Sequence, residues 1–130
     1  MYRLRNILTA LTLSLSASAA LASPILLITH NMTDLESNAF VAGTIASRFP
    51  SKPHSDNKVS WVSVRMACFG HIVDGKCPAL IKIGTNTASP IDLGTVIMDL
   101  NSGDITPKQL SAHGYTMLVT GPGETTLLQN

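Results

Sequence analysis

Residues 59–84 carry the clearest alternation of apolar and polar side chains, and they contain both cysteines and the only tryptophan. The alternation has a period of two over two successive segments, which is typical of half-buried β-strands. The apolar faces of the two segments are Val62, Val64, Met66 and Cys68, and then Cys77, Ala79, Ile81 and Ile83. The pattern therefore predicts an antiparallel β-hairpin whose two cysteines face each other.

A disulfide between Cys68 and Cys77 is predicted to fix the register of this hairpin. With the cysteines opposed, each inward-facing pair is apolar, for example Val64 with Ile81, and a slip of one residue would expose both arms. Closing the loop contributes about 2.5–3 kcal/mol in the chain-entropy model. Trp61 falls on the outward face, where it either packs beneath a loop or stays partly exposed.

The loop between the cysteines is the candidate binding site. Asp74-Gly75 is a strong turn signal, but it does not lie midway between the cysteines, which predicts an irregular or bulged loop. The side chains of interest in this loop are Phe69, His71, Ile72 and Val73. They form either an exposed apolar knob for contact with a partner or a flap that folds back over one end of the core.

Short strands are also predicted on both sides of the hairpin. Strand-like runs occupy residues 24–29, 37–47, 95–100, 115–120 and 125–129. The last two runs flank Pro122-Gly123, which fits the centre of a type II turn. Residues 49–58 contain two prolines and a polar cluster, which predicts a mobile surface loop.

One helical turn is predicted at residues 106–114. Thr106 and Gln109 have the spacing of a capping box, Pro107 suits the first helical position, and Gly114 is placed to end the helix. About seven strands, one helical turn and one disulfide predict an all-β fold: a small antiparallel β-sandwich, immunoglobulin-like or related. A small barrel is the alternative, and the Cys-Trp-Cys spacing of true immunoglobulin domains is absent from the sequence.

Residues 1–22 have the features of a secretory signal peptide. Arg3 and Arg5 precede a short apolar core, and Ala20-Leu21-Ala22 supplies the small residues that signal peptidase recognises. Cleavage after Ala22 would leave residues 23–130 as a single domain. An uncleaved membrane anchor is the alternative, although the strongly apolar part is short for a bilayer.

The cysteine content and the charge agree with export. Two cysteines in an exported chain are expected to form one disulfide, so the predicted location is secreted or periplasmic, in a bacterium. Removal of Arg3 and Arg5 with the leader leaves seven basic and eight acidic residues, a balance that argues against a nucleic-acid partner. No segment after the leader is long and apolar enough to predict a transmembrane span.

The sequence has no recognisable catalytic constellation. It lacks a Gly-x-Ser-x-Gly elbow and a glycine-rich phosphate loop, and Cys68 and Cys77 are too far apart in sequence for a typical catalytic dithiol. We therefore predict a non-enzymatic protein without a cofactor. It would be a binding or structural module of the envelope or extracellular space, and its partner would be an unknown protein or surface component.

A periplasmic copper carrier is the alternative function. His30 and Met32 lie two residues apart, and an imidazole with a thioether suits Cu(I) in an exported protein. Met66, Met98 and Met117 fall within apolar strand patterns, which predicts that they are core residues. Since no His-x-x-x-His zinc spacing occurs either, the leading prediction contains no metal site.

Overall fold

Two five-stranded β-sheets make up most of the computed structural model, which describes residues 22–130. The first sheet has the strand order β4-β1-β10-β9-β8, and the second has the order β3-β2-β5-β6-β7. The strands are β1 (Leu26–Asn31), β2 (Ser37–Val41), β3 (Ile45–Ala46), β4 (Ser55–Ser60), β5 (Lys76–Ile83), β6 (Ile91–Asp99), β7 (Ile105–Thr106), β8 (Gln109–Ala112), β9 (Tyr115–Gly121) and β10 (Glu124–Gln129). A single short helix, α1 (Trp61–Cys68), follows β4 within the described residues.

The predicted all-β sandwich with one disulfide is confirmed. Side chains from both sheets and from α1 form one buried core, which includes Ile83, Leu100, Met117 and Leu127. One strand pair departs from the antiparallel pattern, because β1 and β10 run parallel to each other. The predicted leader lies almost wholly outside the described residues, and the boundaries of the domain stay a prediction.

The second arm of the predicted hairpin is confirmed as a strand. In β5, Cys77, Ala79 and Ile83 are buried, as the alternation indicates. β5 pairs with β2 on one side and with β6 on the other, so both of its edges are occupied and its apolar face lies against the core.

The first arm of the predicted hairpin is wrong. Residues 55–60 form β4, which pairs with β1 in the first sheet, and the chain then enters α1. Ser60 caps this helix, because its side-chain oxygen accepts a hydrogen bond from the backbone N–H of Ser63 at 3.2 Å. The buried residues of α1 are Trp61, Val64 and Cys68, a spacing of three and four that is typical of a helix face.

Trp61 is a core residue, contrary to the outward position that the strand pattern gives it. It is 5% exposed, and its indole N–H donates a hydrogen bond to the carbonyl oxygen of Leu100 at 2.9 Å. The guanidinium of Arg65 donates to the same carbonyl at 2.7 Å. These two bonds attach α1 to the end of β6.

The disulfide between Cys68 and Cys77 is confirmed, but it does not link opposed strands of a hairpin. It joins the last residue of α1 to the beginning of β5, with the two Cα atoms 6.0 Å apart. Both cysteines are buried. The disulfide therefore fixes the end of the helix to the central strand pair of the second sheet.

The helical turn predicted at residues 106–114 is also wrong. Ile105–Thr106 and Gln109–Ala112 are the strands β7 and β8, and β8 pairs with β9. His113 and Gly114 both have positive φ angles, 52° and 85°, as the type I′ turn of a two-residue hairpin requires. Pairing with β9 therefore prevails over the local capping signal.

Most of the other predicted strands are confirmed, but the run 37–47 divides into β2 and β3, which pair antiparallel around a turn where Ala42 and Gly43 have positive φ angles. The predicted loop is shorter than expected. Val96, Met98 and Leu100 are buried along or just after β6, and β9 and β10 form the final hairpin. Residues 55–58 of the predicted loop belong to β4. Met98 and Met117 are core residues as predicted, whereas Met66 is 72% exposed on α1.

Two turns meet the start of β1 at one end of the sandwich. Gly103 has a φ of +79°, and a Cβ atom there would overlap Pro24. The carbonyl oxygen of Gly103 also accepts a hydrogen bond from the backbone N–H of Gly123 at 2.8 Å. Pro24 is therefore part of the packed structure, next to Trp61 and the beginning of α1.

Candidate binding surface

Five exposed apolar side chains form a continuous series along α1 and the loop after it. We refer to them as the apolar ridge: Val62, Met66, Phe69, Ile72 and Val73. Phe69 is 83% exposed, Met66 is 72% exposed and Val62 is 68% exposed. The first three are spaced by four and three residues, so they share the side of the helix that faces away from the core.

The ridge continues into the loop between the cysteines, which is held in a defined shape. The backbone groups of Val73 and Lys76 bond to each other in both directions at 3.0 Å. Asp74 and Gly75 both have positive φ angles. A tight turn therefore replaces part of the irregular loop that the sequence predicts. His71 donates its backbone N–H to the carbonyl of Cys68 at 2.9 Å, and its side chain is half-buried.

Of the two predicted alternatives for this loop, the exposed one occurs. Val73 is 71% exposed and Ile72 is 41% exposed, so neither covers the core. Phe69, Ile72 and Val73 are thus all exposed on the surface, as the knob hypothesis requires. Their role in binding stays a prediction.

A groove of about 390 Å³ lies beside the ridge, between α1 and the segment that follows β2. Its lining includes Ile45, Ala46, Arg48, Phe49, Met66 and Ala67. Sequence reasoning missed Ile45 and Phe49, which are 44% and 48% exposed. The sequence places Ile45 on the same face as Val41 in the strand-like run 37–47, and Phe49 at the start of a polar loop, so no local signal connects either residue with α1.

Two basic side chains without carboxylate partners lie near the ridge, Arg48 in the lining of the groove and Arg65 on α1. Among residues 22–130, ion pairs to lysine occur at Lys82 and Lys108, whereas the four basic residues between positions 48 and 65 have none. These four are Arg48, Lys52, Lys58 and Arg65. The one acidic residue between positions 37 and 73 is Asp56, which is bonded to His30 instead. The segment that leads into and through α1 is therefore positively charged.

His30 lies on the outer face of the first sheet, between two carboxylates. Its Nδ1 is 2.7 Å from Asp56 on β4, and its Nε2 is 2.7 Å from Glu124 on β10. Hydrogen bonds to Asp56 and then to Glu124 raise the pKa of His30 above its ordinary value of 6.5. The imidazole thus joins three neighbouring strands through its two ring nitrogens.

This arrangement does not favour the copper hypothesis. Both ring nitrogens of His30 are already occupied by carboxylates, at 2.7 Å from Asp56 and 2.7 Å from Glu124. Met32 is on the same face of β1 and is 60% exposed. Within residues 22–130 no group of three histidine, cysteine, aspartate or glutamate side chains has the geometry to hold a metal ion. Copper binding by His30 and Met32 stays an untested alternative.

An open depression of about 620 Å³ extends from His30 to His54 and Met32. His54 is bonded to Asp34 at 2.6 Å, so both histidines here are bonded to carboxylates and not to a hydroxyl or thiol. The depression is wide and shallow, and its polar groups already bond to one another. It is therefore a weaker candidate for a site than the ridge.

No helix within residues 22–130 combines the length and the apolarity needed to cross a membrane. α1 has eight residues, far fewer than the roughly 20 that a bilayer requires. The ridge is accordingly a surface feature of a folded domain.

Comparisons with known proteins agree on one family. All of residues 1–130 match the family model described as type II secretion system (T2SS) substrate NttC. The chain is similar to the crystal structure of the Legionella pneumophila type II secretion system substrate NttC, with 57% sequence identity and a TM-score of 0.82. That match covers 83% of this chain and 100% of the other. No curated protein matches.

The family match confirms the expectation that the protein is exported, and the crystal structure confirms the β-rich fold. Cleavage of the leader after Ala22 and passage through the periplasm stay predictions. The family description states no activity. The chain belongs to the family of type II secretion system substrates represented by NttC.

Proposed function

We propose that this protein is a non-enzymatic binding module that leaves the cell through the type II secretion system and attaches to a partner outside it. The partner is a protein or a surface component of the envelope or extracellular space. The observation that carries the proposal is the apolar ridge, in which Phe69 is 83% exposed and Met66 and Val73 are more than 70% exposed. Contiguous exposed apolar side chains on a folded domain commonly mark a contact surface.

The way in which α1 is held supports this function. Its inward face packs Trp61 and Val64 into the core, its end is bonded covalently through Cys68, and Leu100 accepts hydrogen bonds from two of its side chains. The outward face is therefore presented without freedom to rearrange. A preorganised surface loses little conformational entropy on binding, which favours affinity.

The polar contacts support a non-enzymatic role. His30 and His54 are each bonded to carboxylates, whereas a hydrolytic triad needs a histidine that accepts a proton from a hydroxyl or thiol. Cys68 and Cys77 are bonded to each other, and no free cysteine occurs in residues 22–130. The described residues thus contain no thiol nucleophile.

The test compares binding by two variants of the exported protein. Phe69→Ala with Ile72→Ser removes the centre of the ridge, and Met32→Ser removes an exposed apolar side chain at the other end of β1. We expect the ridge variant to lose retention on immobilised host-cell or envelope extract, and the Met32 variant to bind like the wild type. Equal retention of the wild type and the ridge variant would reject the ridge as the contact.

A further inference from the structure

We infer that the apolar ridge binds a membrane surface containing anionic phospholipids. The inference rests on the proposed function and specifies its partner. Three features carry it: the composition of the ridge, the unpaired basic charge beside it, and the groove between Arg48 and Met66. Each is a property of the described residues.

The ridge consists of side chains that a lipid interface accepts. Val62, Met66 and Phe69 project from one side of α1, and Ile72 and Val73 continue the series. Protein partners are commonly anchored by tryptophan, tyrosine and arginine side chains that fill preformed pockets. The ridge has no tryptophan or tyrosine, and lipid chains do not require a complementary pocket. An amphipathic helix binds a bilayer in this way, with its apolar face in the interface and its basic residues near the headgroups.

The charge next to the ridge has the sign that an anionic surface attracts. Arg48 lines the groove beside Met66, and Arg65 lies on α1 itself. Lys52 and Lys58 lie in the loop and strand that lead into the helix. Ser55 pairs with Asn31 at the far end of β4, so Lys52 lies at the opposite end of that strand from α1, and Lys58 shares the exposed face of β4 with Asp56. The charge beside the ridge is therefore that of Arg48 and Arg65, neither of which has a carboxylate partner among the described residues.

Two acidic side chains, Asp74 and Asp99, lie at the end of the ridge that contains Val73. Asp74 occupies the turn after Val73, and Lys76 is bonded to the backbone of Val73 directly across that turn. Lys76 also lies near Asp99 and helps to lower the pKa of that carboxyl, after the larger effect of backbone hydrogen bonds. This end of the ridge therefore has no excess of positive charge, and the attraction depends on Arg48 and Arg65.

The groove extends the apolar surface sideways from the helix. Ile45 and Phe49 form one wall and Met66 and Ala67 the other, with Arg48 also in the lining. The apolar lining of the groove can accept an acyl chain of a phospholipid, and the guanidinium of Arg48 can bind the phosphate group of the same lipid. The ridge and the groove therefore present one surface with an apolar centre and a basic margin.

The experiment uses the full chain, exported and purified, with two kinds of vesicle. One kind contains phosphatidylcholine alone, and the other contains phosphatidylcholine with phosphatidylserine. We expect sedimentation with the phosphatidylserine vesicles and little with the others, and we expect added salt to weaken the binding. Arg48→Gln should weaken binding about fivefold, since one basic residue near an anionic surface contributes about 1 kcal/mol.

The ridge variant for this experiment is Phe69→Ser with Val73→Ser. We expect it to bind phosphatidylserine vesicles at least about tenfold more weakly than the wild type, because two exposed apolar side chains no longer enter the interface. Met32→Ser is the matched control and should bind normally. The fluorescence of the buried Trp61 reports whether each variant is folded.

The outcomes separate this inference from the proposed function. If the wild type binds neither vesicle but binds lipid-free extract protein through the ridge, the lipid inference is wrong and the proposed function stands. If the ridge variant binds both vesicles and extract like the wild type, both are wrong. Equal binding to the two kinds of vesicle would reject the part assigned to Arg48 and Arg65.

Discussion

The helix α1 and the strand β5 are joined by one disulfide and have the same alternation of apolar residues, yet they adopt different conformations. β5 lies between β2 and β6, so its backbone N–H and C=O groups have partners on both sides. α1 lies at one end of the sandwich, where no strand is available to pair with it, and its backbone bonds are internal. Alternation over eight residues therefore predicts a strand only where the fold supplies a neighbouring strand.

Trp61 is the residue that distinguishes the two segments. A strand would place Trp61 outward, away from Val64 and Cys68, whereas a helix places all three on one face. The structure buries all three. A large side chain at the beginning of an ambiguous segment thus carries more information about its conformation than the smaller residues that follow.

Of the substitutions that test this comparison, Trp61→Ala should have the largest effect on stability. The substitution removes a buried indole and its hydrogen bond to Leu100, and we expect a loss of about 3–5 kcal/mol in the free energy of unfolding. Urea unfolding followed by circular dichroism measures it. Phe69→Ala is the matched control, an exposed aromatic residue expected to change stability by less than about 0.5 kcal/mol. Similar small losses for both variants would contradict the helical arrangement.

Val64→Ala and Val62→Ala make the comparison sharper, because a strand and a helix give different results. In a strand both valines would face the core, and both substitutions would be costly. In α1, Val64 is buried and Val62 is 68% exposed. We expect a loss of about 2 kcal/mol for Val64→Ala and less than about 0.5 kcal/mol for Val62→Ala. Equal losses in urea unfolding would favour the hairpin instead.

The smallest expected effect on stability comes from a noncovalent link between strands, in contrast to the covalent link that the disulfide makes between α1 and β5. His30 joins β4, β1 and β10 through Asp56 and Glu124, and its pKa is raised above 6.5. Because the pKa of His30 is raised in the folded protein, the link contributes its full stabilisation of the fold below about pH 6.5, the ordinary pKa of histidine. This stabilisation is lost as the pH rises through the pKa of the folded state.

His30→Gln should therefore lower the thermal midpoint most at mildly acidic pH, above the range in which the two carboxylates become protonated. The difference from the wild type should shrink as the pH increases. His71→Gln is the control, since His71 has no carboxylate partner among residues 22–130. A difference that does not change with pH would show that His30 contributes by packing and not by charge.

The features that the sequence predicts correctly depend on local signals. The disulfide, the inward face of β5, the buried residues of β6 and the hairpin around Pro122-Gly123 all follow from short-range patterns and turn residues. The sandwich follows from the number of such strands. The exposed tip at Phe69 was one of two alternatives, and the choice between them required the structure.

The features that the sequence misses depend on contacts between distant segments. The capping box at Thr106 gives way to pairing between β8 and β9, and the groove brings Phe49 to Met66 across a gap in sequence. His30 meets Glu124 only because β1 pairs with β10. The periodicity of a single segment does not reveal which distant segments it contacts. The groove side of the candidate surface could therefore not be located before the fold was known.

The parallel pairing of β1 with β10 determines where attachments to the protein can be made. Because the two strands run in the same direction, Pro24 lies at one end of the first sheet and Asn130 at the other. Pro24 is packed against Gly103 beside the beginning of α1, so a peptide fused there would emerge next to the helix that carries the ridge. A purification tag or a fluorophore at Asn130 would emerge at the opposite end. Immobilisation through the carboxyl terminus therefore leaves the ridge accessible.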